Sequence, residues 1–315
     1  MINTSPILSI CIPTYNRANN LRDTLESIVS QKRFLETSDV EIVISDNCSD
    51  DQTCDVANSY LEAHGHKIKY YRNEENVKDL NFELALSRGE GSFLKLNNDT
   101  LVHLDGSLDR MLNIIASNAD SSIIFFSNRA LRLKSPVYFN NLDGFIGTAS
   151  YFSTWIGGFG IWRKEFERID NFSANADLQL VQTDVLCRII TGDGFTRGAI
   201  YDEKLCESVK PSKKGGYNFV KIFVDNYFTL LEKYVANGCL SVAVFRKVKS
   251  KILFSYIFPT LRKMVTRGER LDFDTNGLSL YIRKHYASEI YFPLAIIGVT
   301  FYKTIFTLKG SRKVQ

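Results

Sequence analysis

The stretch Leu8-Ser9-Ile10-Cys11-Ile12-Pro13-Thr14-Tyr15-Asn16-Arg17 constrains the fold more than any other. It is an apolar run that stops at Pro-Thr-Tyr-Asn, after which apolar residues return at Leu21, Leu25, Ile28 and Val29, the three-to-four spacing of a helix face. The pattern reads as strand, turn, helix. Val40-Glu41-Ile42-Val43-Ile44-Ser45-Asp46 is a second run rich in β-branched residues, followed by polar Asn47-Cys48-Ser49-Asp50-Asp51, and Lys67-Ile68-Lys69-Tyr70-Tyr71 is a third. Alternation of such runs with helix-length segments predicts an α/β fold, a mainly parallel sheet flanked by helices, with its ligand crevice beyond the carboxyl ends of the strands. Thr14 to Arg17 and Asp46 to Asp51 fall at two of those ends. A carboxylate at Asp46 suits the N–H of a base or a ribose hydroxyl, and the backbone N–H groups before Leu21 suit phosphate. Asp46 to Asp51 reads equally well as a polar turn capping a helix that starts at Thr53. No G-x-G-x-x-G follows the first strand and no G-x-x-x-x-G-K-[ST] is present, which argues against a dinucleotide crevice and a P-loop.

Taken together, Pro13 to Asn16, the Leu21 to Gln31 helix and Asp46-Asn47-Cys48-Ser49-Asp50-Asp51 resemble the opening of family 2 glycosyltransferases. The resemblance is dense through about residue 100 and thinner to about residue 190. It implies a GT-A fold and a nucleoside diphosphate sugar donor held by Pro13, Thr14, Tyr15, Asn16, Arg17, Asp46, Asn47, Ser49, Asn97 and Asn98. Within the family the chain looks most like bacterial enzymes that add sugars to O-antigen or capsule intermediates, the abequosyltransferase-like branch among them. The family's D-x-D corresponds to Asn97-Asn98-Asp99, so Asp99 is left as the carboxylate for Mg²⁺ or Mn²⁺, with diphosphate and water completing the shell. Asn97 is then expected on ribose or a coordinated water. A solvated turn is the bland alternative for all three.

Further along, Thr154 to Glu165 sets Trp155 and Trp162 around Gly157, Gly158 and Gly160, a composition suited to stacking on a sugar and to close backbone approach. Trp155, Gly157 and Gly158 are therefore expected on the acceptor side, and Trp162 in the core. Leu178 to Ile190 reads as a helix with Asp184 inside it, and the resemblance places the family's general base there, with Asp177 in reserve. Phe93 to Val102 reads as a strand and its end, Asn128 to Tyr151 as an irregular loop broken by Gly144 and Gly147, and Phe195 to Cys206 as one short strand.

The chain's 315 residues, 44% of them hydrophobic, suffice for one catalytic domain, expected over 1–210, and a smaller appendage over 217–315. Lys210 to Gly216 between them reads as a linker or a basic loop near the donor. The six cysteines have neither metal spacing nor secreted density and read as reduced thiols, and Met1 to Ser5 lacks the pattern of a signal peptide, so a cytoplasmic protein is expected. In the last third, Arg246, Lys247, Lys249, Lys251, Arg262, Lys263, Arg267, Arg270, Lys309, Arg312 and Lys313 alternate with aromatic and aliphatic residues. That texture suits an anionic membrane surface, and helix or subunit packing is its competitor. Ile290 to Phe306 is too short and interrupted for a typical span. A formal charge of +4 with no sequence-reading module gives no case for nucleic acid.

These readings combine into an inverting glycosyltransferase acting on a surface glycan, on a polyprenyl diphosphate carrier if the acceptor is lipid-linked. It would work at the inner face of the cytoplasmic membrane, with self-association left open. A sugar nucleotidyltransferase is the first rival, weakened because Pro13 to Arg17 holds no glycine for a triphosphate loop. A non-catalytic nucleotide-sugar binding scaffold is the second, suggested by Asn97.

Overall fold

The computed structural model describes residues 5–209, 218–267 and 276–311. The Lys210 to Gly216 segment, Arg270, Arg312 and Lys313 lie outside the described residues. The chain divides into two compact units, one of Met1–Gly144, Phe152–Ala176 and Val181–Lys213, the other of Phe145–Tyr151, Asp177–Leu180 and Lys214–Gln315.

The first unit is an α/β sheet. Its strands are β1 (Leu8–Thr14), β2 (Val40–Asp46), β3 (Ile68–Arg72), β4 (Phe93–Leu96), β5 (Leu101–His103), β6 (Ile123–Phe126), β7 (Val137–Phe139), β8 (Gly160–Trp162), β9 (Gly198–Tyr201) and β10 (Cys206–Ser208). Eight of them form one sheet in the order β3-β2-β1-β4-β8-β6-β9-β7, and β10 pairs with β5 in a small ribbon. β1, β2, β3 and β4 are mutually parallel, as are β6 and β9, whereas β8 runs antiparallel between β4 and β6, and β7 antiparallel to β9. The sheet is mainly parallel and flanked by helices, as the alternating pattern predicts.

Burial explains why the strands read as unbroken apolar runs. Every residue of β2 and β4 is buried, the signature of a sheet covered on both faces. The helix Ala18–Val29 presents Leu21, Leu25 and Ile28 to the same core as Leu8, Ile10 and Ile12 of β1 and Ile42 and Ile44 of β2. Glu41 is the exception inside β2. Burial opposes its charge, but hydrogen bonds from Ser9, the Glu90 N–H and Lys69 hold its carboxyl below the usual range.

Three local expectations are corrected. Phe93 to Val102 is two strands broken at Asn97–Thr100, because the chain turns there to return along β5. Residues 128–151 are not an irregular loop: they contain β7, the helix Leu142–Ala149 and the start of a 3₁₀ turn, Ser150–Thr154. Gly144 and Gly147 sit inside that helix because Leu142, Phe145, Ile146 and Ala149 supply a fully buried face that outweighs glycine's low helix propensity. Phe195 to Cys206 likewise gives β9 and the start of β10 rather than one strand.

The second unit is helical. Its elements run Lys221–Asn226, Tyr227–Ala236, Val242–Ile252, Leu253–Ile257, Phe258–Arg267, Leu278–Tyr286 and Phe292–Ser311. Many of the aromatics that lend this region its texture are core: Phe219, Tyr227, Phe228 and Tyr286 are fully buried. Hydrogen bonds from Asn226 to Leu178 O (2.8 Å) and from Tyr227 to Ser150 O (2.8 Å) tie the two short earlier segments to these helices. A polar network adds to this: buried Lys249 Nζ reaches Glu289 (2.7 Å) and the His285 carbonyl (2.8 Å), while the buried His285 ring lies between Asp225 (2.8 Å) and the exposed Glu232 (3.2 Å).

Candidate active site

The parallel register sets Thr14 beside Asp46, so the ends of β1 and β2 meet, and the Asn97 N–H donates to the Cys11 carbonyl (2.8 Å), bringing the end of β4 alongside. The two loops beyond β1 and β2 are stitched together. Asn16, at φ 54°, donates its N–H to Ser49 Oγ (2.9 Å) and accepts at Oδ1 from the Asp50 N–H (2.8 Å), and the Ala18 N–H at the helix start donates to Asp51 Oδ2 (3.1 Å). The N–H groups expected to face phosphate at this helix start are thus partly satisfied by the neighbouring loop.

Asp46 is buried. Its carboxylate accepts from the Ser49 N–H (3.0 Å) and hydroxyl and from the Tyr70 hydroxyl (2.8 Å). Burial, then the neighbouring Cys54 and Asp46, push the Tyr70 phenol above its usual range, so Tyr70 is the proton donor of that pair. The Asn47 side chain reaches away, donating to Asn76 and to the Lys78 carbonyl and accepting from the Val77 N–H, and so shapes the 73–78 loop. Pro13 is half-buried at the end of β1, and Tyr15 is exposed.

Asp99 is the focus of the site. Only 1% exposed, it accepts from Arg17 Nη1 at Oδ1 (2.8 Å) and from the Thr14 hydroxyl at Oδ2 (2.9 Å), and its carbonyl accepts from Thr24 (2.9 Å). Burial raises its carboxyl above the usual range, with Arg17 and Thr14 opposing. Next to it, Asn98 Oδ1 is buried without a hydrogen-bond partner. Asn97 is fully buried, with its amide nitrogen donating to the Asn98 carbonyl (3.0 Å) and its oxygen facing His103 Nε2 (3.0 Å). His103 is buried; burial, helped by nearby Lys95, pushes its pKa down to about 3, so the ring is neutral at pH 7. Because Asn97 offers an acceptor, the proton sits on Nε2, assigned from this network.

Among the described residues, no group of three or more His, Cys, Asp and Glu could hold a metal ion. Asp99 and the orphaned Asn98 oxygen nevertheless fit a cation whose remaining ligands are diphosphate oxygens and water, since Mg²⁺ keeps several non-protein ligands at such sites.

In the segment expected on the acceptor side, Gly157 and Gly158 allow close packing by lacking side chains. A Cβ at Gly158 would come 2.5 Å from the Phe125 ring, and one at Gly157 2.7 Å from Leu101 and from the Trp155 ring. The Gly157 carbonyl accepts from Lys95 Nζ (2.7 Å), an ammonium whose pKa burial pushes down to about 8. Trp155 is half-buried, and Trp162 packs edge-on against Phe93 at 5.3 Å between ring centres. The helix Val181–Thr191 is pinned to this loop by Gln182 Nε2 on the Thr154 carbonyl (2.6 Å) and the Thr183 hydroxyl on the Ser153 carbonyl (3.2 Å). Asp184 sits in its first turn, 2% exposed, with Oδ2 on Arg188 Nε (3.1 Å), and Arg188 also grips the Asp170 and Phe172 carbonyls. Asp177, on the 3₁₀ turn Ala176–Leu178, is exposed and belongs to the helical unit.

Sequence reasoning missed Lys95, His103, Tyr70 and Gln182. A lysine inside Phe-Leu-Lys-Leu was a readable signal for the first. Gln182 Oε1, buried and unpaired, had none beyond its place one residue before Thr183-Asp184.

Residues 9–140 match the model of Glycosyl transferase family 2. Abequosyltransferase RfbV of Salmonella typhimurium is 35% identical over 116 residues, covering 34% of this chain and 34% of that protein, so the match spans about a third of the relative's length. The fold resembles S. aureus TarS 1-349 in complex with UDP-GlcNAc, with a TM-score of 0.60 at 16% identity over 98% of this chain and 92% of that one. It also resembles the mannosyltransferase PcManGT of Pyrobaculum calidifontis in complex with GDP-Man and Mn²⁺, with a TM-score of 0.59 at 14% identity over 97% of this chain and 87% of that one. At these identities the two structures speak to the fold alone. Residues 9–140 contain the ends of β1, β2 and β4; Trp155, Gly157, Gly158 and Asp184 lie beyond them.

Proposed function

We propose that this protein transfers a sugar from a nucleoside diphosphate donor to a hydroxyl of a bacterial surface glycan, an O-antigen or capsule intermediate on a polyprenyl diphosphate carrier, inverting the anomeric centre. The observation that carries this reading is the convergence of Thr14, Arg17 and Asp99 at adjoining strand ends inside the segment that matches the glycosyltransferase family. Residues 1–210 form the catalytic domain in this reading and 217–315 the appended region, with the enzyme in the cytoplasm at the inner face of the membrane.

Asp46, steadied by Tyr70 and Ser49, anchors the nucleoside pocket. Arg17, partly exposed and resting on Asp99, turns its guanidinium to the donor diphosphate, which suits a planar fork of donors. Mg²⁺ or Mn²⁺ held through Asp99 and Asn98 would, when bound, neutralise charge on the leaving diphosphate. Trp155 offers its ring to the acceptor sugar, and Gly157 and Gly158 let that loop pack closely. Asp184, oriented by Arg188, takes the acceptor proton as the hydroxyl attacks from the face opposite the diphosphate.

The test is incubation with a panel of nucleoside diphosphate sugars and surface-glycan oligosaccharides, following nucleoside diphosphate release and the anomeric configuration of the product. Inverted product supports the reading. Donor binding with no turnover on any acceptor marks a binding scaffold instead, and diphosphate release from sugar 1-phosphate and nucleoside triphosphate marks a nucleotidyltransferase.

A further inference from the structure

The helix Phe292–Ser311 has two apolar faces. Ala295 and Val299 are buried within the helical unit, and Gly298 packs so closely on Phe258 that a Cβ there would lie 2.7 Å from its ring. On the other face stand Leu294, Ile297 and Phe301, spaced by three and four residues, the period that stacks side chains along one side of a helix, and Ile290 lies in the turn just before it. Leu294 is 61% exposed, Ile297 65%, Phe301 59% and Ile290 97%. Phe254, also exposed, packs on Tyr291 at 5.5 Å and widens the patch. A contiguous row of large apolar side chains in water marks an interaction surface.

Charge identifies the occupant. Residues 218–315 hold 16 Lys and Arg against 6 Asp and Glu, whereas residues 1–217 hold 23 against 29. The modest +4 of the whole chain therefore hides a C-terminal region at +10 and a remainder at −6. Within 218–267 and 276–311 the acids Asp225, Glu232 and Glu289 are all drawn into pairs with His285, Lys284 or Lys249, and Arg246, Lys247, Lys263 and Arg283 are exposed. Arg246, exposed on the helix Val242–Ile252, reaches to 3.9 Å from Glu289, the residue directly before Ile290, and so borders the apolar row with a cation. A second copy would bring one cationic region against another. An anionic bilayer answers both features, taking apolar side chains below its headgroups and cations among them. Among the described residues no helix is long and apolar enough to cross a membrane.

We propose that Ile290, Leu294, Ile297 and Phe301 seat this protein in the plane of an anionic lipid bilayer, an inference that rests on the membrane reading above and names the face that makes the contact. The test compares the full chain with a Leu294→Ser, Ile297→Ser, Phe301→Ser variant in co-sedimentation with vesicles of phosphatidylcholine alone and of phosphatidylcholine with phosphatidylglycerol, at low salt. Far-ultraviolet circular dichroism and a thermal melt confirm that the variant, altered at exposed positions, remains folded. The wild type is expected to sediment with the anionic vesicles, and the variant to bind at least ~10-fold more weakly, the scale set by losing several buried methylene groups. A folded variant that binds like the wild type overturns the face while leaving the membrane reading intact. Failure of the wild type to bind overturns both. A wild-type dimer that the variant turns into a monomer, with no lipid binding by either, assigns the face to a second copy and overturns the proposal.

Discussion

His103 offers a stringent test because its neutral state follows from its burial against Asn97. Its ring is buried and donates from Nε2 to Asn97, and its pKa falls from 6.5 to about 3. An unfolded chain therefore takes up a proton on this residue below pH 6.5 that the folded protein refuses. A depressed histidine pKa contributes stability that is present above the unfolded value and is lost as pH falls toward the folded one. Each pH unit below the unfolded value costs about 1.4 kcal/mol, so going from pH 7 to pH 5 removes about 2 kcal/mol through this group alone. His103→Gln keeps an N–H for Asn97 and deletes the titration. Tryptophan fluorescence during urea unfolding reads the right unit, because the chain's two tryptophans, Trp155 and Trp162, both belong to the α/β unit. The quantity to compare is the change in unfolding free energy between pH 7 and pH 5, wild type minus variant. The expected difference is about 2 kcal/mol, with the variant less sensitive to acid. Parallel pH profiles for the two proteins would refute a neutral, buried His103 and with it the Asn97 contact.

Arg17→Ala strips a buried carboxylate of its cation, and should lower stability by roughly 1–3 kcal/mol, since Arg17 is itself partly exposed, and weaken nucleoside diphosphate binding in calorimetry. Asp184→Asn should reduce transfer by ~10²–10⁴-fold with donor affinity unchanged, while Asp177→Asn is mild; the reverse pattern would move the base to Asp177. Gly158→Ala forces a methyl into the Phe125 ring and should destabilise by about 1–3 kcal/mol in a thermal melt; an unchanged melting temperature would deny the close approach.

The architecture was legible because parallel strands buried on both faces must be written as apolar runs, and Leu8–Thr14 and Val40–Asp46 are. The strand ends were legible for the same reason: Pro13-Thr14-Tyr15-Asn16 and Asp46-Asn47 are where those runs stop. The order across the other half of the sheet was not. β8 is three residues long and wedges antiparallel between two strands distant in sequence, and β7 owes its existence to pairing with β9, which no local pattern announces. Asn97 shows the limit most sharply. Its place in the triplet suggested a ligand contact, whereas its partner His103, brought to it by the return of the chain along β5, has no local signal. The helix that carries Asp184 was readable from its apolar face, and the i,i+4 partner Arg188 from the spacing, but the carbonyls that Arg188 grips come from a loop the sequence left shapeless. In the last third the basic-aromatic texture was apparent, yet many of its aromatics turn inward, and burial had to be known before the exposed row on the final helix could be separated from the core.

The central claim is that sugar transfer occurs at the joined ends of β1, β2 and β4, and one measurement bears on it most directly. Nucleoside diphosphate release from a donor sugar in the presence of acceptor is followed for the wild type, for the wild type in EDTA with Mg²⁺ or Mn²⁺ added back, and for Asp99→Ala shown by circular dichroism to be folded. Release by the wild type, its loss in EDTA, its recovery with the cation and its absence in Asp99→Ala are the predicted results. Undiminished release by folded Asp99→Ala would contradict the account.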